Sequence, residues 1–128
     1  MTRVLLVEDS ADVLYLLQIE LEWMGYEVDA AADANTALEA IERVRPDIIV
    51  SDLGMPGMDG FEFIRRVKAI PWLTGVPAIA LTGATGDKDI QRAIASGFTA
   101  HVVKPVEIAE LAQKIEQLTS RRLRRQAG

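Results

Sequence analysis

The sequence has no cysteine, a single histidine (His101), two tryptophans and an aromatic content of only 5% over 128 residues. Without cysteine there can be no disulfide framework and no thiolate metal or redox centre, and one histidine excludes a histidine-rich metal site. A bound metal would therefore be held by oxygen, as Mg²⁺ is. Long apolar runs are also missing. The first run, Val4 to Val7, meets Glu8-Asp9 at once, too soon for a signal peptide, and no stretch reaches the length of a membrane span. A soluble, cytoplasmic protein is expected. Positive charge is scarce outside the C-terminus: the net charge is −5, residues 121–128 hold four arginines and no acid, and residues 1–120 stand at −9. Such an acidic body disfavours direct nucleic-acid binding. The run Arg121-Arg122-Leu123-Arg124-Arg125 reads as a solvated helix end, where cations suit the helix dipole. The length suits one domain with its own core, over residues 1–120, followed by a short basic tail at 121–128.

Within that domain, short β-type runs alternate with segments of helical period. Val4 to Val7 is too short for a helix and reads as a strand buried on both faces. From Ser10, a plausible N-cap, Leu14, Leu17, Leu21 and Met24 recur at helical spacing until Gly25. Tyr26 to Ala31 reads as an edge strand, and a helix from about Asn35 carries Leu38, Ile41 and Val44 until Pro46 stops it. Asp47 to Ser51 is the third strand, followed by a Gly/Pro loop and a helix from about Asp59 with Phe61, Ile64 and Val67 inward, closed by Pro71. Pro77 to Leu81 is the fourth strand, ahead of a helix over Asp87 to Ser96 with Ile90 and Ile94 buried and Gly97 as its cap. Ala100 to Val103 is the fifth, and Ile108, Leu111, Ile115 and Leu118 form the stripe of a last helix. Met55, Met58 and the phenylalanines read as packing. Five such alternations call for an α/β, doubly wound parallel sheet with helices on both faces.

In such a sheet, sites lie beyond the carboxyl ends of the strands, where strand order reverses. Glu8, Asp9, Asp52, Thr82 and Lys104 all fall at or just past a predicted strand end. Three carboxylates gathered there repel one another unless a cation joins them, and their hard oxygens with no competing thiolate favour Mg²⁺. Phosphoryl transfer needs an in-line nucleophile, a divalent ion and a cation for the developing charge, which Asp52, Mg²⁺ and Lys104 supply. Thr82 adds a hydroxyl for a phosphoryl oxygen, and Gly83 beside it leaves room and an N–H for close approach. The product would be an acyl phosphate on Asp52.

Those motifs together carry a resemblance. Glu8-Asp9 after the first strand, Asp52 followed by Met55-Pro56-Gly57-Met58-Asp59-Gly60, Thr82-Gly83 after the fourth strand and Lys104-Pro105 after the fifth are similar to the receiver domain of two-component response regulators. The likeness extends from Val4 to about Leu118. It implies a (βα)5, flavodoxin-like fold with five parallel strands in the order 2-1-3-4-5. It also implies roles: Asp52 as phosphoacceptor, Glu8 and Asp9 as metal-site acids with the Gly54 carbonyl as a further ligand, Thr82 as switch hydroxyl, Lys104 as phosphate-binding cation, and a cis Lys104-Pro105 peptide. The implied partners are a histidine kinase or histidine phosphotransfer protein and an output protein that reads a surface of helix 4, strand 5 and helix 5. No turnover of external substrates is implied.

Three positions depart from the family pattern. His101 stands where a switch tyrosine or phenylalanine is usual, with a smaller, titratable ring. Gly54 leaves no side chain beside the acyl phosphate, where relatives often carry one that influences hydrolysis. Leu53 replaces a tryptophan found in some relatives, so Trp23 and Trp72 are placed to report metal binding poorly. The pattern of Gly54 and Gly97-Phe98-Thr99-Ala100-His101-Val102-Val103-Lys104-Pro105 looks like receivers of hybrid histidine kinases. Two other readings compete. A haloacid-dehalogenase-type phosphatase or phosphotransferase also pairs Asp, Mg²⁺, Thr and Lys, but its second Asp would stand at position 54, which is glycine. A pseudo-receiver that only binds partners is disfavoured by the presence of every phosphorylation residue. The glycines at 54, 57 and 60 match neither a dinucleotide fingerprint nor a P-loop.

Overall fold

Strands rich in Val, Ile and Leu pair here because both of their faces can be covered by helices, which a parallel sheet requires. The computed structural model describes residues 1–83 and 86–127, with the backbone alone over 121–127. Its elements follow in the order β1 (Arg3–Val7), α1 (Ala11–Trp23), β2 (Glu27–Ala31), α2 (Ala34–Val44), β3 (Ile48–Asp52) and α3 (Gly60–Lys68). A 3-10 turn (Pro71–Leu73), β4 (Ala78–Thr82), α4 (Asp87–Ser96), β5 (Ala100–Val103) and α5 (Ile108–Ala127) complete it. All strand pairs are parallel and the sheet order is β2-β1-β3-β4-β5. Strand order reverses between β1 and β3, which places the crevice of a doubly wound sheet there.

Alternate residues of each strand serve opposite cores. Val4, Leu6, Ile48, Val50, Ile79 and Leu81 pack under α1 and α5 with Leu17, Leu21, Leu111 and Ile115. Leu5, Val7, Ile49, Ala78 and Ala80 pack under α2, α3 and α4 with Ile41, Phe63, Ile64, Val67 and Ala93. Most of these side chains are fully buried, each stabilising the fold by about 1.5–3 kcal/mol where it is a Val, Leu, Ile or Phe. The sheet's central strands thus form a rigid floor, and only their carboxyl-end residues escape apolar company.

Several local expectations shift by a residue, and each shift has a cause. The third helix begins at Gly60 because the Asp59 side chain accepts from Glu62 N at 2.9 Å and so stands outside the helix as its cap. Asp33 does the same for α2, accepting from Thr36 N at 2.7 Å. Ser10 stands at the N-cap of α1 without a side-chain capping bond; its backbone N–H instead donates to Glu8 Oε2 at 3.0 Å. Pro71 opens the 3-10 turn as well as ending the helix before it.

Two burial expectations fail. Met24, the last residue at the helical spacing, is 48% exposed, because it stands at the C-cap of α1 just before the turn at Gly25 (φ +97°). In α4 the buried residues are Ala93 and Ser96, while Ile94 is 58% exposed and Ile90 only half-buried. The small residues let α4 approach α3 closely, and Arg92 of α4 lies over the Phe61 ring of α3 at 3.9 Å. Helical spacing alone permits either rotation of α4; contact with α3 selects this one. The backbone of α5 stays helical through Ala127, so residues 121–127 continue that helix. Among the described residues, no helix is long and apolar enough to cross a membrane.

Candidate functional site

The predicted site residues are gathered at the carboxyl edge of the sheet. Asp52 is the last residue of β3 and Thr82 the last of β4, with Asp52 in register with Leu81. Glu8 and Asp9 follow β1 directly, and Lys104 follows β5. Backbone bonds tie the turns after β1 and β5 to their neighbouring strands. Glu8 N donates to Ala31 O at 3.1 Å, tying the turn after β1 to β2, and Lys104 N donates to Thr82 O at 2.7 Å, tying the turn after β5 to β4. Ser51 Oγ donates to Asp52 O at 2.9 Å, so the nucleophile candidate is anchored through its own carbonyl. The Lys104-Pro105 peptide is cis.

Lys104 Nζ lies 2.9 Å from Glu8 Oε1 and 3.1 Å from Asp52 Oδ2. Glu8 is 1% exposed and Asp52 5%, whereas Asp9 lies open to solvent. Ligand atoms of Glu8, Asp9 and Asp52 fall within 4.8 Å of one another. One lysine therefore faces three carboxylates, two of them buried. Glu8 Oε1 has that ion pair but no aligned hydrogen bond, which leaves a buried acceptor short of compensation.

The electrostatic consequence falls on Asp52. Burial, then the Glu8 charge and the contact with Asp9, push its carboxyl up from 3.8 to about 6, against the opposing pull of Lys104. Burial would also raise Asp9, but proton sharing with Glu8 and Asp52 outweighs it and holds that carboxyl below the usual carboxylate range. Burial would lower Lys104, but its bonds to Glu8 and Asp52 prevail and keep it charged. A second cation entering here would relieve the repulsion and favour the ionised, nucleophilic form of Asp52. The hard oxygens and the under-compensated Glu8 Oε1 fit a divalent ion of the Mg²⁺ type.

Beside Asp52 the loops after β3 and β4 frame a cleft of about 290 Å³, lined among others by Leu53, Gly54, Phe61, Thr82 and Gly83. A Cβ built at Gly54 or at Gly83 would meet nothing within 4 Å, so both glycines leave this approach open. His101, half-buried on β5, pairs in register with Ala80 and so lies on the α3–α4 face of the sheet, one residue from Val102 on the opposite face. It is not part of the acid–lysine cluster described above. Sequence reasoning overlooked the anchoring roles of Ser10, Ser51 and Gly60. Only Gly60 carries a readable signal: glycine is a poor choice for a first helical residue unless something leaves no room for a side chain.

Comparisons with known proteins follow the same outline. The model of the response regulator receiver domain matches residues 4–116. A 14.6 kDa protein of Leptolyngbya boryana is 43% identical over 114 residues, covering 89% of this chain and 87% of that protein. The virulence transcriptional regulatory protein PhoP of Salmonella typhimurium is 36% identical over 121 residues, which make up 94% of this chain but 53% of PhoP. The chain thus spans about half the length of that curated relative. Among solved structures, the chemotaxis protein CheY4 of Vibrio cholerae superposes with a TM-score of 0.89 at 35% identity, over 92% of this chain and 98% of that one. These matches argue against the haloacid-dehalogenase reading. With the strand order and the edge cluster, they lead to one conclusion: the chain belongs to the response regulator receiver domain family of two-component signalling.

Proposed function

We propose that Asp52 is the phosphoacceptor of this receiver, taking its phosphoryl group from a phosphohistidine of a histidine kinase or histidine phosphotransfer protein. The observation that carries the reading is the cluster itself: a buried carboxylate 3.1 Å from Lys104 Nζ, with Glu8 and Asp9 close enough to share a metal. An Asp52 carboxylate oxygen forms the new P–O bond while the P–N bond breaks and its electron pair leaves with the imidazole. Lys104 offsets negative charge on the phosphoryl oxygens, and the Thr82 hydroxyl donates to one of them. Glu8, Asp9, Asp52 and the Gly54 carbonyl would hold Mg²⁺, which when bound neutralises the carboxylates and the incoming phosphoryl group.

The protein promotes its own phosphorylation and dephosphorylation rather than turning over external substrates, for Gly54 provides no acid–base group next to Asp52. It works in the cytoplasm, without direct contact with nucleic acid or membrane. Residues 1–120 form the receiver and 121–128 its basic extension. Thr82 and His101 relay the phosphorylated state to an output protein that docks on α4, β5 and α5, by shifting the population of two arrangements of that surface.

Incubation with acetyl phosphate and Mg²⁺ is expected to add the mass of one phosphoryl group to the wild-type protein and nothing to Asp52→Asn. An unmodified wild type, or an equally modified variant, refutes the assignment. For His101, the expected result is that His101→Tyr alters the phosphorylated protein's affinity for its output partner more than it alters the phosphorylation rate, measured side by side; the opposite pattern removes it from the relay.

A further inference from the structure

A glycine opens α3 although nothing in its own backbone requires one. The positive-φ glycines among the described residues are Gly25, Gly57 and Gly97, and Gly60 is not one of them. What Gly60 lacks is space. A Cβ built there would lie 2.2 Å from the backbone oxygen of Asp52, 2.8 Å from Leu53 Cα and 3.1 Å from the Asp52 carbonyl carbon. All three are backbone atoms, so no side-chain rotation could make room. The Gly60 amide, in turn, donates to Leu53 O at 2.8 Å. The first residue of α3 is thus seated directly on the peptide that links Asp52 to Leu53.

The helix is not free to retreat from that seat. Phe63, Ile64 and Val67 of α3 are fully buried, Asp59 caps its first turn, and Arg92 of α4 covers the Phe61 ring. On the other side, β3 is held between two strands up to Ser51, whereas Asp52 pairs with Leu81 of β4 alone and the next rung is Leu53 N to Leu81 O at 3.3 Å. Pressure at Gly60 would therefore be taken up at the strand's end, where the Asp52 side chain departs.

We infer that Gly60 is a positioning residue for Asp52: by letting the start of α3 touch the Asp52 backbone, it sets where the phosphoaccepting carboxylate stands relative to Lys104 and the acids of β1. The inference rests on the reading of Asp52 as phosphoacceptor. A shift on the order of 1 Å at a reacting group commonly costs about a hundredfold in rate. A methyl group at position 60 demands at least such a shift.

The test compares wild type, Gly60→Ala and Gly75→Ala, the last at a position where a Cβ would meet nothing within 4 Å. Phosphorylation by acetyl phosphate is followed by intact mass, Mg²⁺ affinity by calorimetry, and the folded fraction by circular dichroism at the same temperature. Wild type and Gly75→Ala are expected to react alike. Gly60→Ala is expected to react about a hundredfold more slowly per folded molecule, with weakened Mg²⁺ binding. A lower melting temperature with an unchanged rate per folded molecule would mean that Gly60 merely packs, and overturns the inference. No reaction in wild type would instead overturn the phosphoacceptor reading itself. Should Gly60→Ala not fold, amide exchange in wild type puts the same question: by reciprocity, saturating Mg²⁺ should increase protection of the Gly60 N–H, and unchanged protection overturns the inference.

Discussion

Asp52→Asn is expected to melt at a higher temperature than wild type at pH 8 in metal-free buffer, although it removes the candidate phosphoacceptor. The Asp52 carboxyl stands at about 6 in the fold against an ordinary 3.8, since burial and the Glu8 charge outweigh Lys104. A carboxyl raised in this way stabilises the fold fully while protonated, below about pH 4, and loses that contribution as pH climbs through 6. Above that range wild type carries an ionised group that the site disfavours, at a cost of about 2–3 kcal/mol. Asn keeps the shape and stays neutral, so its advantage should be on the order of 10 °C at pH 8 and shrink toward zero near pH 4. Saturating Mg²⁺ should narrow or reverse the gap by binding wild type more tightly. Scanning calorimetry of both proteins from pH 4 to 8, with and without Mg²⁺, checks each part. A gap independent of pH would show that Asp52 does not bear the strain.

Lys104→Met is expected to have the opposite sign on stability and to slow the chemistry without abolishing it. Its ammonium is the partner of two buried carboxylates, Glu8 and Asp52. Stripping the cation from a fully buried pair costs about 3–5 kcal/mol; the lysine side chain is 30% exposed, so solvent screening brings the expected loss to about 2–3 kcal/mol. Acyl phosphate formation should slow on the order of 10²–10³-fold, as when one preorganised donor is removed from a site of developing charge. Neighbouring charges do not act additively, so the same substitution should destabilise the Asp52→Asn background less than it destabilises wild type. Denaturant unfolding of the four proteins measures that coupling, and equal losses in both backgrounds would exclude it.

Much of the fold is legible in the sequence because its signals are local. Runs such as Ile48-Ile49-Val50 cannot be half-exposed strands, and Gly25, Pro46 and Gly97 end helices by backbone geometry whatever surrounds them. The rim of polar groups is legible for the same reason: Asp52, Thr82 and Lys104 each follow an apolar strand, and parallel strands place their carboxyl ends on one edge. Burial of helix faces was less readable. Leu21 and Met24 stand three residues apart at helical spacing, yet one is fully buried and the other, at the helix's C-cap, half exposed. Ile94 misleads likewise, because Ala93 and Ser96 permit the closer approach to α3.

By itself the sequence determined the alternation of strands and helices, the parallel sheet, and the identity of the groups at its carboxyl edge, because period, breakers and residue chemistry act over a few positions. Only the tertiary structure decided that Lys104 bridges Glu8 and Asp52, that Glu8 is sealed away while Asp9 faces water, and that α3 begins on the backbone of Asp52. Those facts depend on distances between segments far apart in the chain, set by how the two cores press the helices onto the sheet, and no local pattern of residues encodes them.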